Sequence, residues 1–324
     1  MTGKEFGILT MAEKNCSSGC AFKTSVGGQA LMEGIMMKGP DKLAVAVRKP
    51  DNTIDIKVEP VKKHVWQKIP LVRGVCSMVD SMVSGYRHLT HSAEISMGDD
   101  FLEEESKFDR WVKEKFGDKA LTVVTAIAGV LGVVLAVLLF MVIPTAVVRL
   151  VELLLPLGGW KTLLESLIKA GIFVGYLALV SRMKEIRRVF AYHGAEHKTI
   201  ACYEAGEELT VENVRKHKRF HPRCGTSFLI IVLLISFVIG SLLPWGNALL
   251  RVALKLATLP VVMGIAYELI KLAGRYDNIA TRIISAPGLW MQRLTTNEPD
   301  DSMIEVAIAA VLPVLPEDPE QGKW

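Results

Sequence analysis

Two long stretches of this 324-residue chain contain no charged side chain: residues 120–148 and residues 225–250. A hydrocarbon core of about 30 Å requires about 20 helical residues, so each stretch is long enough to cross a membrane. A buried helix of a soluble protein is rarely apolar over such a length. The missing charges therefore predict an integral membrane protein.

Other missing features narrow the class of protein further. The five cysteines are scattered and odd in number, so they form no disulfide framework and fit a reducing compartment. The net charge of +4 comes without a clustered basic face with interleaved aromatics, so nothing indicates a nucleic-acid partner. The N-terminus has no apolar stretch of the signal-peptide kind, so targeting falls to the first span.

Each long apolar stretch is followed by a weaker one, at residues 163–180 and 253–273. The loop charges decide whether these weaker stretches also span. Residues 182–223 contain ten Lys or Arg, and only four spans place this basic segment inside together with both termini. We therefore predict an α-helical polytopic protein of the inner (plasma) membrane, with about four transmembrane helices and a small α+β cytoplasmic N-terminal domain.

The predicted organisation has six parts. They are a flexible tail (1–26), the cytoplasmic α+β domain (27–117), a first transmembrane pair (118–181), a basic cytoplasmic loop (182–225), a second transmembrane pair (226–274) and a cytoplasmic C-terminal tail (275–324). Cys16 and Cys20 lie in the first tail, as either a metal hook or part of an unstructured segment. The stripe of apolar residues over 101–116 predicts a helix, either on the membrane interface or in solution.

Local patterns predict several elements at the two ends of the chain. Residues 43–48 and 53–59 flank a turn sequence and read as a β-hairpin, with Ile54, Ile56 and Val58 on its buried face. A helix is expected to open at Pro70, and residues 302–305 form a capping box for a short helix through Leu312.

The basic loop contains the sequence His-x-x-Glu-His. His193, Glu196 and His197 are spaced i, i+3 and i+4, so they share one helical face, and Glu204 extends that face before Gly206. Two imidazoles one turn apart are a common way to present two ligands to Zn²⁺, and the carboxylate beside them can act as general base. The order matches the inverted zinc-peptidase motif. The alternative is that these histidines only face solvent.

A third ligand is expected from Glu268, because inverted-motif enzymes take one from a distant glutamate and an ionisable group in an apolar span is usually functional. Its alternatives are an ion pair with Lys271 or Lys255, or a place near headgroups. His217, His221 and Cys224 form a possible second metal cluster. Alternatively, attraction of the basic stretch 215–219 to anionic headgroups explains this region without metal.

Several motifs carry a resemblance to a known family, and they include two further candidate residues, Glu33 and Arg73. The motifs are GGQALMEG at 27–34, MMKGP at 36–40, RG at 73–74, YHGAEHKT at 192–199, HPRCGT at 221–226, SAPGLW at 285–290 and LTT at 294–296. At these residues the chain resembles the YqhQ family of bacterial membrane proteins. The resemblance covers nearly all of the chain after residue 26 and implies a predicted metal-dependent enzyme.

Three functions follow as hypotheses. The first is a membrane-bound, metal-dependent hydrolase such as a peptidase, with Zn²⁺ on His193, His197 and Glu268 and with Glu196 as base. The second is a non-catalytic membrane scaffold or assembly factor with a structural metal or a polar network. The third is a small transporter with Lys169 and Glu268 on a polar path. The expected partners are the lipid bilayer and a membrane-protein substrate or partner.

Overall fold

The computed structural model describes residues 22–62, 64–97, 120–221, 224–276 and 279–316. The tail with Cys16 and Cys20 and the amphipathic segment over 101–116 lie outside these ranges.

Four strands near the N-terminus form an antiparallel sheet in which chain neighbours pair. They are β1 (Gly27–Leu31), β2 (Gly34–Lys38), β3 (Lys42–Arg48) and β4 (Ile54–Pro60). Positive φ angles at Glu33 and Asn52 close the first and last turns, and the Asp51 carboxylate accepts the Thr53 N–H at 2.9 Å. The predicted hairpin over residues 43–59 is confirmed, whereas β1 and β2 were not predicted.

After the sheet, the described ranges contain ten α-helices and one π-helical turn. They are α1 (Val72–Met97), α2 (Ala120–Val137), a π-helical turn (Leu138–Val142), α3 (Ile143–Leu154), α4 (Lys161–Val180), α5 (Lys184–Glu204), α6 (Val211–Lys216), α7 (Gly225–Leu242), α8 (Ala248–Arg275), α9 (Ile279–Thr295) and α10 (Asp301–Val311). Short 3-10 turns occur at Val65–Lys68, Gly158–Trp160 and Leu312–Val314. The cap of α10 is Asp300, whose carboxylate accepts the Met303 N–H, so this helix begins before the predicted capping box.

Helices cover both faces of the sheet, so β3 is buried from Leu43 to Val47. Its Ala44 face packs against α5 and α10, and the opposite face packs with Ile95 of α1. The prediction of a buried face on β4 is wrong for two residues, because Ile56 and Val58 remain 48% and 46% exposed. They lie on the outermost strand, whereas α10 lies mainly over β2 and β3.

Within the described ranges, four helical segments are long and apolar enough to cross a membrane, as predicted. They are Ala126–Leu154, Gly158–Val180, Gly225–Leu242 and Ala248–Ala273. Most of their side chains lie on the outside of the bundle, where a water-soluble protein would carry polar groups. This arrangement suits a hydrocarbon environment.

A charged cluster is buried between these apolar segments. The Glu165 carboxylate accepts a hydrogen bond from Arg251 Nη2 at 2.9 Å, forms an ion pair with Lys255 and accepts the Thr145 hydroxyl at 2.6 Å. The Arg251 guanidinium also lies 3.7 Å from the centre of the Trp245 ring. An unpaired charge is very costly in such surroundings, so these groups must stay in contact. Their contacts link three of the four spans.

Candidate metal centre

Helix α5 presents the His-x-x-Glu-His residues on its buried face. The rings of His193 and His197 are 4.4 Å apart, one helical turn along the axis. Cys224, the cap residue of α7, joins them from another element. One ligand atom from each of the three lies within 4.8 Å of the others, a separation that one metal ion can bridge.

Backbone carbonyls orient both imidazoles. His193 Nδ1 lies 2.8 Å from the Thr295 carbonyl, and His197 Nδ1 lies 2.6 Å from the Arg219 carbonyl. A carbonyl only accepts, so each Nδ1 donates a proton to it, which leaves each Nε2 for the shared site; His193 Nε2 lies 3.2 Å from Cys224 Sγ. Such outer hydrogen bonds are a common feature of histidines that bind metal.

The chain after α9 crosses α5 directly beside the motif. A Cβ on Gly194 would lie 2.0 Å from the Asn297 carbonyl oxygen, so only glycine permits this approach. The Asn297 N–H donates to the Phe190 carbonyl at 2.8 Å and fixes the crossing. This crossing holds the Thr295 carbonyl over His193.

The charges of the three candidate ligands are coupled. Burial alone would raise the pKa of Cys224, but the His197 and His193 rings lower that pKa well below its usual range. Burial likewise opposes protonation of His193, yet the Cys224 sulfur and the Glu196 carboxylate raise its pKa to about 9. At neutral pH the protein therefore stabilises a thiolate, the form of cysteine that binds metals.

Glu196 lies on the same face and is almost fully buried. Its Oε1 accepts the Gly28 N–H of β1 at 2.9 Å, while its Oε2 has no hydrogen-bond partner among the described residues. Burial raises the pKa of Glu196 above the ordinary carboxyl value. A carboxyl group with one anchored and one uncommitted oxygen can move a proton.

Glu268 does not join this group. Its carboxylate binds Arg73 through two hydrogen bonds, with Nε at 2.7 Å, and accepts the Leu71 N–H at 3.2 Å. The prediction that Glu268 approaches the two histidines is corrected: α8 packs against α1, which places a guanidinium closer than any imidazole. Cys224 takes the position that was expected for Glu268.

The predicted second cluster of His217, His221 and Cys224 does not form, because the three side chains contact different partners. Cys224 belongs with His193 and His197, whereas His217 faces Glu207 at 3.2 Å. His221 Nε2 lies 3.5 Å from Glu204, and its backbone exchanges two hydrogen bonds with the Gln292 amide. These separations arise because the short α6 and the turn after it carry His217 away from α7.

Glu33 joins the β1–β2 turn to α5. Its carboxylate pairs with Arg188 and accepts the Tyr192 hydroxyl at 3.1 Å. This pairing fixes the β1–β2 turn against the helix that carries the histidines.

Residues 69–317 match a family described as "Protein of unknown function (DUF1385)". The chain belongs to this family. It is 35% identical over 291 residues to "Uncharacterized protein YqhQ" of Bacillus subtilis (strain 168), covering 87% of this chain and 89% of that relative. No solved structure matches the chain. The resemblance to the YqhQ family is thus confirmed.

In this member of the DUF1385 family, a small apolar cavity of about 150 Å³ adjoins the candidate ligands. Phe173 and Leu177 of α4, Leu229 of α7 and His193 of α5 form part of its wall. His193 is also the only one of the three candidate ligands that is not fully buried. The cavity therefore connects the span region to the candidate metal centre.

Sequence reasoning missed several residues of the site. The Thr295 carbonyl, the Gly28 N–H and the Gln292 amide come from elements far away in the chain. Gly28 and Thr295 lie within two of the motifs that carried the family resemblance, at 27–34 and 294–296, and this was the available signal.

Proposed function

We propose that this chain is a membrane-bound, zinc-dependent hydrolase. The observation that carries the proposal is the group of His193, His197 and Cys224, with both imidazoles oriented by carbonyls and a buried glutamate beside them. Three protein ligands leave one position of a tetrahedral zinc ion for water or substrate, as in catalytic rather than structural sites. A zinc ion held by these residues would polarise a carbonyl or phosphoryl oxygen and acidify water.

Glu196 is the proton carrier in this proposal. Its Gly28 contact fixes the carboxylate, and burial raises its pKa, which makes it a stronger base than an exposed carboxylate. The uncommitted Oε2 takes a proton from the attacking water and returns it to the leaving group. Burial of the site excludes bulk water that would compete for this proton.

The site is proposed to lie on the cytoplasmic side of the inner membrane, with both termini there. The support is the basic character of the segment between the second and third apolar helices, together with the positive-inside tendency. Reporter fusions at Asn213, Asn247 and Asn297 test this placement. An outward Asn213 would refute it.

A structural metal in a non-catalytic scaffold is the second candidate. The His221 ring lies 5.7 Å from the His197 ring and could supply a fourth ligand that closes the coordination shell. A closed shell has no place for substrate. The Glu204 contact instead holds His221 away and favours the open site.

The metal content and a Glu196→Gln variant test the proposal together. Protein purified without chelator should contain one zinc per chain, and His193→Ala should remove it. Glu196→Gln should keep the zinc but fail to complement a deletion strain, because the ligands remain and the proton carrier is lost. Wild-type protein without metal refutes the hydrolase, and full complementation by Glu196→Gln favours the scaffold.

A further inference from the structure

The cavity beside His193 lies between two of the apolar helices, α4 and α7, and is closed by α5 and α9. Phe173, Leu177 and Leu229 belong to segments that are long and apolar enough to span a membrane. Apolar cavities of about this size accept a molecule such as benzene, so the space suits a chain segment of roughly six carbon atoms.

We propose that this cavity binds the hydrocarbon chain of an anionic lipid, and that lipids of this class are the substrate of the candidate metal centre. The second half of the assignment rests on the proposed function. The chain would enter between α4 and α7, and the polar part of the lipid would lie next to His193. Apolar contact alone recognises such a chain, which agrees with the composition of the wall.

The character of the wall favours a lipid over a peptide. An extended peptide is bound through backbone donors and acceptors of an exposed strand. Four helices surround the cavity, and backbone groups in the middle of a helix are paired within that helix. The helix-end groups of the wall are also occupied, the Thr295 carbonyl by His193 and the Thr226 N–H by the Cys224 sulfur. On the edge strand β1, which packs against α5, the Gly28 N–H is already bound to Glu196.

Exposed cations near the cavity favour an anionic headgroup. Arg182 and Lys184 occupy the joint between α4 and α5, and Arg187 lies one turn before Phe190 of the cavity wall. These three side chains are exposed and form no ion pair with the part of the chain that the structure describes. Basic side chains at the end of a span attract anionic headgroups.

Photolabelling of the full chain in vesicles tests the inference. Phosphatidylcholine vesicles would contain a trace of phosphatidylglycerol with a diazirine in its acyl chain, and labelled residues would be mapped by mass spectrometry. We expect labelling of Phe173 to exceed that of the lipid-exposed Leu131 of α2 by about tenfold. Leu229→Trp should fill the cavity and abolish the excess, whereas Leu234→Trp on the same helix should not.

The controls separate this inference from the metal proposal. Cys224→Ser protein, expected to lack zinc, should retain the labelling at Phe173 because Cys224 is not part of the cavity wall. Equal labelling of Phe173 and Leu131 would overturn the lipid site and leave the zinc measurements untouched. Equal cavity labelling by a phosphatidylcholine probe would overturn the anionic headgroup. Labelling only by a photo-leucine transmembrane peptide would assign the cavity to protein substrates.

Discussion

The Glu196 carboxylate accepts the Gly28 N–H at 2.9 Å, although 168 residues separate the two in sequence. The contact joins the edge strand of the sheet to the helix that carries both candidate histidine ligands. It also leaves one carboxylate oxygen uncommitted, so the sheet positions the group to which we assign proton transfer. Strand β1 therefore contributes directly to the candidate metal centre.

Replacing Gly28 tests this role of β1. A Cβ at Gly28 would lie 2.4 Å from the Met36 carbonyl oxygen and 3.2 Å from Glu196 Cδ, whereas a Cβ at Gly27 meets nothing within 4 Å. Gly28→Ala should destabilise the protein by about 1–3 kcal/mol through overpacking. Gly27→Ala is the matched control and should change stability by less than about 0.5 kcal/mol. Thermal unfolding in detergent measures both, and equal effects would argue against a close packing of β1 on α5.

Cobalt substitution identifies the third ligand. A cysteine thiolate bound to Co²⁺ produces a charge-transfer absorption in the near ultraviolet, which a carboxylate does not. We expect this band in the wild type, its loss in Cys224→Ser and its retention in Glu268→Gln. A spectrum without the band in the wild type would return the third position to an oxygen ligand.

The histidine pair and its partner glutamate were predictable because helix geometry alone sets the i, i+3 and i+4 spacing. The four apolar helices were predictable for a similar reason, since length and composition decide them. Cys224 was predicted as a ligand only in a separate cluster, and the Gly28 contact was not predicted, because both positions depend on how α7 and β1 pack beside α5. The prediction of Glu268 as the third ligand is wrong because its partner, Arg73, lies 195 residues away in sequence and could not be foreseen.

The Arg73–Glu268 pair should stabilise the contact between α1 and α8 without affecting the metal. Both side chains are partly exposed, so the pair is screened in part, but its two parallel hydrogen bonds strengthen it. A double-mutant cycle with Arg73→Met and Glu268→Gln should give a coupling of about 1 kcal/mol. Zinc content should remain that of the wild type in all variants. Loss of zinc in Glu268→Gln would restore Glu268 as a candidate ligand.

Cys202 should make stability fall in alkaline solution. Burial raises the pKa of this thiol to about 11, while an unfolded cysteine has a pKa of about 8.5. The folded state thus holds the proton more tightly, so this contribution is complete below about pH 8.5 and disappears as the pH approaches about 11. The stability difference between the wild type and Cys202→Ala should shrink by about 2–3 kcal/mol across this window.

The buried cluster around Glu165 should be the most sensitive point of the helix bundle. Glu165 and Arg251 are 2% and 0% exposed, and Lys255 is 8% exposed. Glu165→Gln removes the carboxylate that pairs with both buried cations, and leaving such charges unpaired costs about 3–5 kcal/mol. Glu152→Gln is the control, because Glu152 pairs with Lys161 at a partly exposed position and should cost less than about 1 kcal/mol.

A rescue variant separates the cost of unpaired charge from that of lost packing. The triple change Glu165→Leu, Arg251→Met and Lys255→Met removes the carboxylate together with both cations. Buried ion pairs often contribute no more than well-packed apolar groups of similar volume, so this variant should recover most of the stability that Glu165→Gln loses. The loss and its recovery would be measured by thermal unfolding in one detergent. If the triple variant is less stable than Glu165→Gln, the cluster acts through its specific hydrogen bonds, such as that from Thr145, and not through charge balance.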